Sequence, residues 1–276
     1  MPKQIVKTGE RLLPEKIEST EEYLIFLRHL FAYEFAKHRV AKTDLVLEVG
    51  CGEGYGGSLI SRYASKIIGL DVDESVIAHA SKKYCSENCF FEIYDGITIP
   101  YDKDTFDMII SFQVIEHIKD DMNYVSEIYR VLKRNGIFIL TTPNKSFRLK
   151  YDQKPWNIFH VREYNPQELE NLLKKKFLDV KIWGICGNEE VRGIELERLK
   201  QNLKIVSYDP LNLRNLIPVR LKPLIIRTIG KMNRMITKKQ NIKASKDFLK
   251  KYNLKDYFIE RTKVDSSLDL LGICKK

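Results

Sequence analysis

The feature that most constrains this chain is a glycine-rich turn between an apolar run and a helix-like run. The stretch LEVGCGEGYG occupies residues 47–56 and places a glycine at every second position from Gly50 to Gly56. It follows an apolar run at 44–49 and precedes residues 55–63, whose apolar spacing predicts a helix. A strand that enters a helix through such a turn presents free backbone N–H groups to a ligand. We therefore expect a binding site at this turn.

The remainder of the chain alternates between strand-like and helix-like segments. This order predicts βαβ units and a largely parallel sheet. We expect an α/β fold with a doubly wound, seven-stranded sheet and a helical, basic insertion between the last two strands. The strands are predicted at 44–49, 66–71, 90–93, 106–112, 137–142, 177–186 and 267–274, and the helices at 17–41, 55–63, 74–85, 120–133 and 166–176.

The same pattern predicts the domain organisation. Residues 1–186 and 257–276 are expected to form the main domain, with a helical segment at 1–43. Residues 187–256 are expected to form a helical cap, because an insertion this long between two strands is usually a functional appendage.

The acid that precedes the glycine turn limits the choice of ligand. A phosphate-binding loop would need a lysine after the glycines, and residues 56–58 are Gly-Gly-Ser. A dinucleotide fingerprint can be placed on Gly52, Gly54 and Gly57, but it leaves Glu48 unexplained. A carboxylate at this position repels pyrophosphate and suits an ammonium or a sulfonium.

Two further acids end the next two predicted strands. Asp73 is placed to cap the following helix, so Asp71 is left to accept hydrogen bonds from a ribose diol. Asp95 can receive an exocyclic amine beside the backbone of Gly96. With Glu48, these acids predict a cleft for an adenosine that carries a cationic tail.

Five segments in order carry a resemblance to the class I S-adenosylmethionine-dependent methyltransferases. They are VLEVGCGEG, GLDVDES, YDGITIP, FDMIISFQVIEHI and LKRNGIFILTTPN, within residues 45–144. The resemblance implies a Rossmann-like fold and S-adenosylmethionine as the cofactor. It assigns the methionine part to Glu48, Gly50, Cys51 and Gly52, the ribose and adenine to Asp71 and Val72, the adenine edge to Asp95 and Gly96, and the flanks of the donor to Phe112 and Gln113.

Catalytic candidates lie after the fourth and fifth predicted strands. A hydroxyl acceptor needs its proton removed by a positioned base or by a metal. Glu116, His117 and His160 are the candidates, with His160 as the general base. In the alternative interpretation Glu116 faces solvent, His117 orders the cofactor and His160 fixes its loop.

A metal site is suggested by one further resemblance. Ubiquinone-pathway O-methyltransferases and small-RNA 3′-end methyltransferases hold a divalent metal with a Glu-x-x-Glu-His pattern and a later histidine. This chain has Gln113 in place of the first glutamate, which weakens a site for a hard cation. We therefore expect no metal.

The flanks resemble one branch of methyltransferases, of type 11/12, that is often found among glycan-assembly enzymes. The matching segments are TGER at 8–11, YEFA at 33–36, NIFHVREYNPQEL at 157–169 and SLDLLGICKK at 267–276. This implies O-methylation of a sugar or of a glycan or glycolipid precursor. The alternatives are a quinone- or RNA-directed O-methyltransferase and, in another class, a nicotinamide-dependent oxidoreductase or a non-catalytic protein that binds the cofactor.

The charge is concentrated in the last quarter of the chain. Residues 200–276 hold 19 Lys and Arg against 6 Asp and Glu, whereas the preceding residues hold 28 against 31. Between Asp209 and Asp247 there are ten basic residues and no acid, and the apolar spacing at 225–236 predicts a basic amphipathic helix. A solvated cap, an anionic or lipid-linked acceptor and peripheral membrane contact through 211–240 all remain open. Nucleic acid is not favoured, because no RNA-binding signature is present.

The cysteines and the N-terminus indicate the compartment. Five scattered cysteines do not suggest a disulfide framework. The first residues lack the apolar region of a signal peptide, and no apolar stretch reaches the ~20 residues of a spanning helix. We expect a cytoplasmic protein, and a location at the membrane periphery is left open.

Overall fold

The structure, a computed structural model, describes residues 14–150, 153–157, 159–207 and 248–276. The predicted amphipathic helix at 225–236 and the proposed membrane-contact segment at 211–240 lie outside these residues. Within the described ranges, no helix has the length and apolarity that crossing a bilayer would require.

One eight-stranded mixed sheet organises the molecule. Its strand order is β3-β2-β1-β4-β5-β8-β6-β7, with β1 to β5 mutually parallel. Strand β8 runs antiparallel to β5 and β6, and β7 runs antiparallel to β6. The strands are β1 Leu45–Val49, β2 Lys66–Asp71, β3 Cys89–Ile93, β4 Phe106–Phe112, β5 Leu132–Pro143, β6 Asp179–Gly187, β7 Tyr257–Glu260 and β8 Asp269–Lys275.

Helices cover both faces of this sheet. A buried apolar cluster joins the first three helices to one face, and a second cluster joins the fourth and sixth helices to the other. The capping predicted from the sequence is confirmed, because Asp73 accepts from the Ser75 amide and Asn165 forms a capping box with Glu168. The helices are α1 Thr20–Lys37, α2 Tyr55–Ser61, α3 Glu74–Tyr84, α4 Asp121–Val131, α5 Lys145–Arg148, α6 Pro166–Leu173, α7 Glu189–Ser207 and α8 Phe248–Lys251.

The prediction of seven strands was wrong by one. Strand β7 has only four residues, lies at the edge of the sheet and pairs with β6 alone. Its apolar run of three residues, 257–259, is too short to distinguish a strand from a helix segment in the sequence, and Phe258 is 48% exposed at the edge of the sheet. The predicted insertion consequently lies between β6 and β7 rather than between the last two strands. Its described ends, α7 and α8, are helical, and its bounds at 187–256 stay a prediction.

The end of α4 also differs from the prediction. The helix stops at Val131 and β5 begins at once, five residues earlier than expected. Asn135 adopts a left-handed φ of 64° within the strand, where the pairing with β4 shifts register. The Asn-Gly pair therefore forms an irregularity in a strand instead of a helix end.

The strand order places a crevice at one edge of the sheet. The chain moves outwards from β1 to β3 on one side and then returns to β4 on the other. In doubly wound sheets, ligands bind outside the carboxyl ends of the strands at this reversal. The glycine turn follows a strand that ends at this edge, and the candidate residues lie either in the last residues of such strands or in the loops that follow them.

Candidate active site

The glycine turn is held in place by a single carbonyl of the neighbouring strand. The amides of Gly50 and Cys51 both donate to the Leu70 oxygen, at 2.8 and 2.9 Å. Gly50 and Gly52 have φ values of +77° and +51°, a region that favours glycine. A Cβ on Gly50 would lie 2.4 Å from a Val114 methyl, whereas a Cβ on Gly52 would meet nothing within 4 Å. The backbone of Gly52 therefore borders open space that a ligand can enter.

Asp71 joins the turn to the end of β2. One carboxylate oxygen accepts from the Gly52 amide at 3.1 Å, and the other accepts from the Asp73 amide at 3.0 Å. The carboxylate is half-buried, and each oxygen retains capacity for a further hydrogen bond. The contact of Asp71 with a ribose stays a prediction. The remaining hydrogen-bonding capacity of its carboxylate is compatible with that contact.

The loop after β3 places an ionised carboxylate beside exposed apolar surface. Asp95 accepts hydrogen bonds at 2.8 Å from the amides of Thr98 and Ile97, and these bonds lower the pKa of its carboxyl. Val72 is 59% exposed and Ile97 is 66% exposed. A Cβ on Gly96 would lie 2.9 Å from Val72, so the two loops are in close contact. The carboxylate suits the exocyclic amine of a purine, and the exposed apolar surface suits its ring.

Glu48 lies beneath the turn rather than in open solvent. Its carboxyl is fully buried and accepts from the Tyr33 hydroxyl at 2.5 Å. Burial raises the pKa of Glu48 to about 8, the charge of Asp71 acts in the same direction, and the hydrogen bond from Tyr33 opposes both. Its Oε2 faces the Gly57 backbone without a hydrogen bond of normal geometry. A cation bound nearby would favour the ionised form of this group.

Phe112 and Gln113 end β4 in different environments. Phe112 is buried with its ring edge against Tyr33, at 4.8 Å between ring centroids. Gln113 has a left-handed φ of 59°, and its side-chain amide donates to Asp269 at 3.1 Å. The side chain of Gln113 is hydrogen-bonded within the protein. The prediction that Gln113 lies beside the donor therefore refers to its backbone.

The three catalytic candidates lie together, as their positions after β4 and β5 imply. Glu116, His117 and His160 each offer an atom within 4.8 Å of the others. Glu116 is buried and accepts from the Thr142 hydroxyl at 2.9 Å, which excludes the alternative in which it faces solvent. Burial raises the pKa of Glu116, and the neighbouring histidines oppose this shift.

Both ring nitrogens of His160 have partners. Nδ1 lies 2.7 Å from a Glu163 oxygen, and Nε2 lies 2.8 Å from the Asn157 amide nitrogen. The Nδ1 of His117 lies 3.1 Å from the Phe159 carbonyl, and the two imidazole rings are 5.0 Å apart. This arrangement places a histidine–carboxylate pair at the site.

A set of buried ion pairs beneath this site was missed by the sequence analysis. Arg28 pairs with Asp269 at 2.9 Å and with Glu195 at 3.3 Å. Arg148 lies 3.2 Å from Glu163. The partners come from α1, α5, α7, β8 and the loop before α6, so sequence spacing does not reveal them. Only Glu163, three residues after His160, could have been noticed.

The raised pKa of Glu48 predicts a pH dependence of stability. The folded-state pKa of about 8 exceeds the ordinary value of 4.5 for a glutamate, so the folded protein binds the proton more tightly. The contribution of Glu48 to the free energy of unfolding should therefore be largest below about pH 4.5 and should fall towards pH 8, by at most about 1.4 kcal/mol per pH unit. Urea unfolding across this range should give a flatter profile for Glu48→Gln and an unchanged one for the exposed control Glu87→Gln. Equal slopes for wild type and Glu48→Gln would contradict the assignment.

Comparison with known proteins shows that the chain is similar to methyltransferases. A family model described as "Methyltransferase domain" matches residues 47–140. A protein of Mycolicibacterium smegmatis named "Probable S-adenosylmethionine-dependent methyltransferase" is 40% identical over 182 residues, which are 65% of this chain and 68% of that protein. A protein of Mycobacterium tuberculosis H37Rv with the same description is 35% identical over 195 residues, which are 70% of this chain and 69% of that protein.

Solved structures agree on the fold. The crystal structure of an S-adenosylmethionine-dependent methyltransferase from Thermotoga maritima matches with a TM-score of 0.54 at 16% identity, over 93% of this chain and 95% of that one. At this identity the likeness shows the Rossmann-like fold alone. With the two mycobacterial relatives and the family model, the chain belongs to the S-adenosylmethionine-dependent methyltransferases and uses S-adenosylmethionine as its cofactor.

Proposed function

We propose that this enzyme methylates a hydroxyl group of a sugar or of a glycan or glycolipid precursor, with His160 as the general base. S-adenosylmethionine supplies a methyl group that is already activated on a sulfonium. The protein then has to align the acceptor, exclude water and remove the hydroxyl proton. The observation that carries the proposal is the buried pair formed by His160 and Glu163, 2.7 Å apart.

The residues at the strand ends fit the cofactor. The open space at Gly52 admits a ligand against the backbone, and the buried carboxyl of Glu48 lies beneath it. A row of carboxylates and exposed apolar side chains continues along the same edge. In our proposal, Glu48, Gly50, Cys51 and Gly52 hold the methionine part, Asp71 and Val72 the ribose and adenine, Asp95 and Gly96 the adenine edge, and Phe112 with the Gln113 backbone borders the donor.

His160 has the arrangement of a general base. Its Nε2 receives a hydrogen bond from the Asn157 amide, and the acceptor hydroxyl would replace that amide and transfer its proton to Nε2. In this proposal, His117 orders the site, since its Nδ1 is engaged by the Phe159 carbonyl. Glu116 is bonded to Thr142 and supports the turn that carries His117.

The alternative acceptors have less support. In the quinone- and RNA-directed enzymes that the chain resembles, a first glutamate ligates a metal. Here the matching residue is Gln113, which donates a hydrogen bond to Asp269 instead.

The basic segment at 210–246 is proposed to favour an anionic or lipid-linked acceptor, with peripheral membrane contact through 211–240. A cytoplasmic location is part of the same proposal.

Replacing His160 should abolish methyl transfer and spare cofactor binding. We expect His160→Ala to lower turnover by about 100-fold or more, because a general base contributes 10²–10⁴-fold. Turnover is measured by mass spectrometry on a panel of mono- and oligosaccharides, and cofactor affinity by calorimetry with S-adenosylhomocysteine. The exposed His38→Ala serves as the matched control. Full turnover by His160→Ala would show that His160 is not the general base. Failure of the wild-type enzyme to methylate any sugar would rule out sugars as the acceptor class.

Metal removal should not affect turnover. The cluster of Glu116, His117 and His160 offers a single carboxylate, and three of the histidine ring nitrogens already have hydrogen-bond partners. A hard cation prefers more oxygen ligands than this. Enzyme treated with EDTA and then desalted should therefore keep its turnover on the sugar panel. Loss of turnover that Mg²⁺ or Mn²⁺ restores would establish a metal site.

A further inference from the structure

We propose that Tyr33, on α1, is a positioning residue for the cofactor: its hydroxyl stabilises the ionised Glu48 carboxylate that receives the ammonium group of S-adenosylmethionine, and cofactor binding releases the Glu48 proton to solvent. The inference rests on one part of the proposed function, the placement of the methionine part at Glu48, and it is independent of the acceptor. Tyr33 lies outside residues 47–140, which the family model matches. It belongs to the segment YEFA at 33–36, to which the proposed function gives no role.

Tyr33 contacts three parts of the cofactor site. Its hydroxyl donates to Glu48 Oε1 at 2.5 Å. Its ring lies edge-on to Phe112, with 4.8 Å between the ring centroids, and occupies the space where a Cβ on Gly56 would lie. Tyr33 is 6% exposed and Glu48 is 1% exposed. Helix α1 therefore packs directly against the glycine turn, and Gly56 is the residue that admits the Tyr33 ring.

The side chains around Glu48, apart from Tyr33, do not favour its charge. Within the parts of the chain that the structure describes, the titratable side chains that act on Glu48 or respond to its charge are Tyr33 on α1, Cys51 and Tyr55 at the turn, Asp71 on β2 and Cys89 on β3. None of these side chains is a cation, and the Asp71 carboxylate repels a second negative charge. A hydroxyl that donates to a carboxylate stabilises its ionised form. Tyr33 is therefore the side chain that prepares Glu48 for a cationic ligand.

The protonation of Glu48 links cofactor affinity to pH. Burial raises the pKa of Glu48 to about 8, so the carboxyl group of the free protein is largely protonated at pH 7. A bound ammonium group favours the ionised form, and the proton that leaves goes to solvent. Affinity should therefore rise with pH and level off above the pKa of Glu48 in the free protein. Burial also raises the pKa of the Tyr33 hydroxyl well above its ordinary value, so Tyr33 remains a donor across this range.

Replacing Tyr33 with phenylalanine removes the donor and keeps the ring beside Gly56. The effect should depend on pH, because the lost hydrogen bond stabilised the ionised carboxylate. We expect Tyr33→Phe to bind S-adenosylhomocysteine, which retains the ammonium group, about ten-fold more weakly than wild type at pH 7 and about two-fold more weakly at pH 9. Affinity and proton release are both measured by calorimetry, in pairs of buffers with different heats of ionisation.

Three variants serve as controls. Glu48→Gln cannot ionise, so its binding should show no proton release beyond that of the ligand itself. Adding Tyr33→Phe to Glu48→Gln should change the affinity by the same factor at pH 7 and at pH 9. Tyr63, just after α2, is 37% exposed, and Tyr63→Phe should bind as wild type does at both pH values.

The outcomes separate this inference from the rest of the proposed function. An equal loss of affinity at pH 7 and at pH 9 in Tyr33→Phe would show a packing role and overturn the inference. Wild-type binding with no more proton release than Glu48→Gln would overturn it even if Tyr33→Phe did not fold. Wild-type affinity of Glu48→Gln at pH 9, where the wild-type carboxylate is ionised, would reject both the inference and the placement of the methionine part at Glu48. These titrations involve neither an acceptor nor His160, so failure of the sugar panel leaves their result standing.

Discussion

The hydrogen bonds from two consecutive amides of the glycine turn to the Leu70 carbonyl are the constraint on which the site depends. They fix the chain in a left-handed conformation at the point where it leaves β1 and tie that point to the end of β2. Asp71 then binds the next amide, Gly52, so turn and carboxylate are positioned by the same contact. The cofactor half of the site is therefore set by backbone geometry, and Glu48 lies beneath it because it belongs to the buried strand.

The part of the site that we propose to receive the acceptor depends on buried ion pairs instead of backbone geometry. Arg28, Arg148 and their carboxylate partners come from distant parts of the chain and meet near the edge where β4 and β5 end and β8 begins. Burying such charges is unfavourable unless each has a partner with good geometry, so loss of one member would disturb the others. This shared dependence links α7, through Glu195, to the loop of His160.

Local patterns in the sequence predicted the strands and the helix cap near the glycine turn well and the contacts around His160 poorly. Strands at 66–71 and 106–112 and the cap at Asp73 depend on neighbouring residues, and the structure has them where the sequence indicated. The four-residue β7 was missed because its run of three apolar residues is too short to indicate a strand rather than a helix segment. Tyr33 and Arg28 were missed because their partners, Glu48 and Asp269, are distant along the chain, and an aromatic on a helix is typical of core packing. His160 and Glu116 were found from their places after strands, but their hydrogen bonds required the fold.

Calorimetric titration of Gly52→Ala with S-adenosylhomocysteine tests most directly whether the turn is a ligand site. The added methyl group meets no protein atom within 4 Å, so it should cost only the strain of a left-handed alanine, about 1 kcal/mol. We expect a folded protein whose affinity falls at least about ten-fold. Gly193→Ala, where a methyl group also meets nothing within 4 Å, should bind as wild type does. Unchanged affinity in a folded Gly52→Ala would contradict the account, because the turn would then be only a tight connection between β1 and α2.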